Sequence, residues 1–214
     1  KSTLERGTLE VLLGECTAAD AIVPVSSAGM DLLPANQDLT AAEVQLLAMP
    51  AGRERRLRDA LAPLRDQYDV IFIDCPPSLN ILTVNALIAA DSVLIPMQCE
   101  FYALEGLSSL VSTVEQIRGS ANPTLEIEGV LRTMFDPRNN LANEVSSQLL
   151  SHFGEKVFRT VVPRNVRLAE APSFGRPALV HDKDSRGALA YLALAGEMLR
   201  RADHPPAAPA IIGA

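Results

Sequence analysis

Short, nearly all-apolar runs rich in β-branched residues alternate along this chain with longer stretches in which apolar residues recur every three to four positions. The first kind reads as buried parallel strands and the second as amphipathic helices. Strands are predicted at 30–34, 69–75, 92–98, 127–135 and 156–162. Helices are predicted between them at 41–49, capped by Thr40, over the charged stretch 52–67, and at 79–89. Downstream, 105–118 places Leu107, Leu110, Val111, Val114 and Ile117 at helical spacing, and 140–153 and 185–201 follow the same rule. Strands alternating with helices of this length call for right-handed βαβ crossovers. The predicted fold class is therefore a doubly wound α/β domain, a mostly parallel sheet with helices on both faces. No internal repeat and no Pro/Gly/Ser linker divides the chain, so residues 1–202 read as one domain. Residues 203–214 carry three prolines and no helical pattern, and read as a flexible tail.

Composition narrows the function classes. With 214 residues, 48% of them hydrophobic, the chain can bury a core without disulfide or metal staples. A net charge of −7 gives no chain-wide positive field, so any nucleic-acid contact must be local. Cys16, Cys75 and Cys99 form no CxxC pair, which points to a reducing compartment and to small buried thiols at Cys75 and Cys99. His152, His181 and His204 lack zinc-ligand spacing, and no GxSxG elbow surrounds Ser78, which argues against a zinc site and a hydrolase triad. The apolar runs fall far short of the ~20 residues a membrane span needs.

Ligands of open α/β sheets sit beyond the carboxyl ends of the strands. The string YDVIFIDCPPS at 68–78 ends an apolar strand in Asp74 and a rigid Pro76-Pro77 turn. A carboxylate at such a tip, the Walker B position, holds Mg²⁺ directly or through water while the metal bridges phosphate oxygens. The other reading of Asp74 is a plain turn aspartate, which the full string makes the weaker one.

On this string the chain resembles the ParA/Soj ATPases of the deviant Walker A superfamily, which segregate bacterial chromosomes and plasmids. SVLIPMQCEFYALEG at 92–106, EGVLRTMFD at 128–136 and VPRNVRLAEAPS at 162–173 match that family in order and spacing, and GMDLLPA at 29–35 matches more weakly. The family's KGGxGK[ST] phosphate loop and its DxDPQ segment do not occur in the sequence. The resemblance places both ahead of Lys1, so an amino-terminal truncation by one βαβ unit is expected. Without a backbone N–H nest and loop lysines to cradle phosphates, the chain as given is expected not to hydrolyse ATP.

The resemblance also implies roles for individual residues. Asp74 would reach Mg²⁺ through water, and Pro76 and Pro77 would shape a switch turn that responds to the γ-phosphate. Thr133, Met134, Pro163, Arg164 and Asn165 would lie on the adenine side of ATP, with core packing for Met134 and strand termination for Pro163 as the competing readings. Glu100, Phe101, Tyr102 and Glu105 would form the ATP-dependent dimer surface, or else an acidic helix start. Residues 132–186 hold nine Lys or Arg against six Asp or Glu, the electropositive part of an acidic chain. Within it Arg138 and Arg167 match the family's DNA-contacting arginines, and Lys183 and Arg186 carry further positive charge.

The implied parent is a cytoplasmic, nucleoid-associated ATPase. It would dimerise with ATP and Mg²⁺, bind double-stranded DNA without sequence preference, and be switched off by hydrolysis that a ParB-type activator stimulates, with no membrane partner. Two alternatives remain. A MinD-like membrane-cycling ATPase would want a basic amphipathic carboxyl-terminal helix and a PAG-type turn, which the sequence lacks. A non-catalytic interaction module of the same fold is the other.

Overall fold

The structure, a computed structural model, describes residues 6–203, so the predicted tail beyond Asp203 lies outside the described residues. In chain order, α1 (Thr8–Leu13) and α2 (Ala18–Ala21) precede β1 (Val23–Val25) and β2 (Met30–Leu32). Then come α3 (Leu39–Ala48), α4 (Arg56–Leu61) with a 3₁₀ turn over Ala62–Gln67, and α5 (Ile81–Ala89). The second half runs β3 (Ser92–Gln98), α6 (Ala103–Ser120), β4 (Glu126–Phe135), α7 (Asn140–Phe153), β5 (Val157–Pro163), α8 (Val166–Glu170), α9 (Ala178–His181) and α10 (Arg186–Asp203). The chain divides into two compact units, one formed by residues up to Ser92 with Val114–Glu126, the other by Val93–Thr113 with the residues from Ile127 on.

The second unit contains the parallel sheet, with strand order β3-β4-β5 and helices α6 and α7 as the crossovers. Strands β4 and β5 run parallel, pairing Val130 with Val157 and Phe135 with Pro163. Successive strand residues face opposite sides of a sheet, and β4 uses both. Val130 packs with Leu107 of α6 and Val145 and Leu149 of α7. Its neighbour Leu131 packs with Phe158, Val162 and Leu194 of α10 on the other face. This is why the strands read as unbroken apolar runs, and it bears out the expected α/β layering. Helix α7 begins where the Asn139 side chain accepts a hydrogen bond from the Ala142 amide, and it ends at Gly154, whose positive φ of 51° suits a residue without a Cβ.

On the sheet's second face, α10 is fastened by a carboxylate. Glu197 accepts hydrogen bonds from the backbone amides of Arg159 and Thr160, both at 2.8 Å, and from Arg201 at 2.9 Å. Burial pushes the Glu197 pKa up, but these donors, with Thr160 foremost, outweigh it and leave the pKa at about 2. The Arg201 guanidinium also lies 3.9 Å from the centre of the Phe158 ring.

The first unit packs Leu12, Ala42, Leu46, Leu57 and Ala86 from α1, α3, α4 and α5 into one core. Its buried Asn85 is fully used. It accepts from the Leu57 amide and donates to the Arg53 and Ile81 carbonyls, which holds α4 against α5.

Several expectations need correction. Residues 69–75 form no strand and pair with none among the described residues, and Val70, Ile71 and Phe72 are exposed, Phe72 by 76%. A β-branched run becomes a strand only where a neighbour takes its backbone groups, and none of the described strands does. The segment predicted at 30–34 is no parallel strand, because β2 pairs antiparallel with β1 in a separate hairpin. Asp38 rather than Thr40 occupies the N-cap of α3. The single helix predicted over 52–67 is a short α-helix that tightens into a 3₁₀ turn at Pro63, where proline cannot donate to a continuing helix. Cys75 is exposed, whereas Cys99 is buried. No described helix is long and apolar enough to cross a membrane.

Candidate functional site

In the first unit the segment 69–75 leaves Asp74 exposed to solvent, followed by the exposed Pro76 and Pro77. Two proline rings fix φ at consecutive positions, so this turn has few conformations of its own. Its downstream end is tied to α5. The Thr83 hydroxyl donates to the Ser78 carbonyl at 2.5 Å, and the Asn80 side chain caps the helix by accepting from the Leu82 and Thr83 amides, each at 3.0 Å. Asn80 also donates to Glu43 of α3 at 2.5 Å. Among the described residues no group of three or more His, Cys, Asp or Glu could hold a metal ion. As a single exposed carboxylate, Asp74 could supply one oxygen ligand to a magnesium ion whose other ligands are phosphate oxygens and water, the usual way that ion is held.

In the second unit the carboxyl ends of β4 and β5 lie side by side through the Phe135–Pro163 pairing. The approach to this tip is irregular. Met134 has φ of 53°, alone among the described non-glycine residues in the left-handed region, and the register shifts between Arg132 and Phe135. Backbone strain of this kind at a residue with a side chain costs about 1 kcal/mol or more. Met134 is 41% exposed, so the core-packing reading of this residue does not hold. Thr133 is half-buried beside it, Pro163 is half-buried, Arg164 is exposed, and Asn165 caps α8 by accepting from the Arg167 amide at 2.8 Å. An open concavity of about 500 Å³ is lined by Phe135, Pro137, Val161, Pro163, Arg186 and Leu189. It brings together Pro163 and Arg186, two residues predicted for different roles, while Thr133, Met134, Arg164 and Asn165 do not line it.

The predicted dimer surface occupies the turn into α6. Glu100 is exposed, Phe101 and Tyr102 meet edge to face at 5.2 Å with Tyr102 77% exposed, and Glu105 lies in the first helical turn. Phe101 is 70% exposed as well.

Both arginines matched to DNA contacts are engaged by carboxylates. Arg138 donates through Nη2 to Asp136 Oδ2 at 2.7 Å, through Nε to Oδ1 at 2.9 Å, and through its backbone amide to Oδ1 at 3.0 Å. These bonds hold the Asp136 carboxyl down to about 2. Arg167 donates to Glu170 at 2.9 Å and lies 3.3 Å from Asp182. His181 stacks on Phe174 at 4.8 Å and places Nε2 3.9 Å from Glu170. Lys183 and Arg186 are exposed. Asp136, Glu170 and Asp182 are the residues sequence reasoning missed. The three-residue interval between Arg167 and Glu170 on a helix is a signal that could have found one of them.

A family model described as an AAA domain matches residues 1–127. The chromosome partitioning protein ParA of Caulobacter vibrioides is 52% identical over 202 residues, 93% of this chain and 75% of that protein. The sporulation initiation inhibitor protein Soj of Bacillus subtilis is 47% identical over 198 residues, 92% of this chain and 78% of that protein. Among solved structures, a cobyrinic acid a,c-diamide synthase of Mycobacterium smegmatis with bound ATP analogue and magnesium superposes with a TM-score of 0.80. It is 35% identical and covers 98% of this chain and 78% of its own.

Proposed function

Since the chain belongs to the ParA/Soj family of chromosome-partitioning ATPases, we propose that its complete gene product is a nucleotide-gated DNA-partitioning protein. It binds ATP with magnesium, dimerises, holds double-stranded DNA without reading its sequence, and lets go after hydrolysis stimulated by a ParB-type activator on the nucleoid. The observation that carries this reading is the pair of solvent-exposed guanidinium groups, Arg138 and Arg167, each held only in an exposed ion pair, on a chain whose net charge of −7 offers DNA no general attraction. Phosphate contact by arginine needs no base reading, and it weakens with salt.

In this reading Asp74 would hold magnesium, and the metal would supply positive charge against the phosphate oxygens of ATP. Pro76 and Pro77 limit the turn behind Asp74 to a few states, so a small shift at the carboxylate moves the turn as a unit. The Met134 tip and the Pro163–Asn165 turn would take the base. Phe101 and Tyr102, flanked by Glu100 and Glu105, would meet a second copy of the chain. One protomer offers too few phosphate contacts to hold DNA at physiological salt, and pairing two protomers makes the second set of contacts intramolecular.

The test is charge reversal in the complete gene product. Arg138→Glu and Arg167→Glu are each expected to abolish the DNA shift at low salt while nucleotide binding persists. Unchanged DNA affinity in both variants overturns the assignment.

A further inference from the structure

We propose that Asp136, Glu170 and Asp182 are positioning residues for DNA, internal carboxylates that occupy Arg138 and Arg167 until phosphates displace them. The inference rests on the DNA-binding reading above and adds to it a built-in competitor at the same two side chains.

The geometry is the same in kind at two separate places. Arg138 follows Asp136 across Pro137, and the fork of its guanidinium meets both oxygens of that carboxylate, at 2.7 Å and 2.9 Å. Arg167 sits on α8 between Glu170 on its own helix and Asp182 just past α9. Two guanidinium groups therefore face three carboxylates. The excess of positive charge over 132–186 does not reside at the arginines matched to DNA, which are locally neutralised. A planar guanidinium bonds a carboxylate and a phosphate with the same paired geometry, so one excludes the other on that edge.

Exposure decides which ligand wins. Arg138 is 88% exposed and Arg167 56%, and ion pairs this open are weak, because water already satisfies both partners. Duplex DNA brings a row of phosphates whose condensed counterions are released on contact, a gain an isolated carboxylate does not offer. Two consequences follow. The arginines are held on carboxylates before DNA arrives, and each contact starts from a neutral pair. A single stray phosphate gains little, whereas a duplex meeting several arginines at once displaces the carboxylates together.

The experiment measures affinity for mixed-sequence duplex DNA against salt, using the complete gene product with ATP and magnesium. Asp136→Asn and the pair Glu170→Gln with Asp182→Asn are each expected to tighten DNA binding about threefold at low salt, the strength of an exposed ion pair. The slope of log affinity on log salt is expected to steepen by up to about 0.9 for each arginine released. Asp136→Glu, which keeps the charge, should retain the parent slope. If Asp136→Asn and the paired variant leave affinity and slope unchanged, or weaken binding, while Arg138→Glu still loses DNA, the competitor role is wrong and the DNA reading stands. If Arg138→Glu and Arg167→Glu both keep DNA as well, the reading beneath it fails.

Discussion

Glu197 shows how much one side chain holds. It is buried on α10, yet it satisfies two backbone amides of β5 and the Arg201 guanidinium. Glu197→Gln removes the charge and leaves Arg201, itself only 11% exposed, without its ion-pair partner. The expected loss is about 3 kcal/mol of unfolding free energy, the size seen when one member of a buried pair is removed. A urea titration at pH 7 checks it. The pH dependence has a definite sign. The folded pKa of about 2 lies below the ordinary value of 4.5, so this contribution is complete above about pH 4.5 and fades as pH falls toward 2. The parent should lose stability over that window more steeply than Glu197→Gln. Parallel curves would remove Glu197 from the account.

Residues 69–75 hold the clearest conflict between local preference and pairing among the chain's elements. The run DVIFIDC has the composition of a buried central strand, yet its amides meet no strand among the described residues and Phe72 stands open to water. Amides at 70–73 are therefore expected to exchange with deuterium many times faster than those at 130–133 in β4, and Phe72→Lys is expected to lower binding of an apolar dye by this 214-residue chain. Equal protection in the two segments would mean that 69–75 is paired in solution. Elsewhere the elements are legible wherever one signal dominates. β3 at Ser92–Gln98 and α7 at Asn140–Phe153 fall on their predicted bounds, the first as an unbroken apolar run and the second between Asn139 and Gly154. The pairing of β2 with β1 is not legible, because β2 is exposed along its length and its three residues are too few to name a partner. Helices α8 and α9 span five and four residues, too few for a helical period to appear. The candidate site divides in the same way. Asp74 and the strand-tip residues stand out because a residue type recurs at a fixed place relative to a run. The partners of Arg138 and Arg167 do not, because turn geometry across Pro137 and between α8 and α9 decides them.

For the whole molecule the governing quantity is charge. A chain at −7 is repelled by DNA except where arginines are presented together, so the number of arginines engaged should be readable from the salt dependence of binding. Two phosphate contacts per protomer, through Arg138 and Arg167, give a slope of log affinity on log salt of at most about −1.8, reduced by what the paired carboxylates hold back, and joining two protomers doubles it, to at most about −3.6. The complete gene product with ATP and magnesium is therefore expected to show about twice the slope it shows without nucleotide, and Arg138→Glu to flatten the ATP-bound slope. Exposed rings at Phe101 and Tyr102 would form part of the joint between copies. Phe101→Ala with Tyr102→Ala should then return the slope with ATP to the value without it while leaving Arg138 and Arg167 intact. A slope that ignores nucleotide would mean that each protomer meets DNA by itself, and the proposed coupling between nucleotide and DNA would be lost.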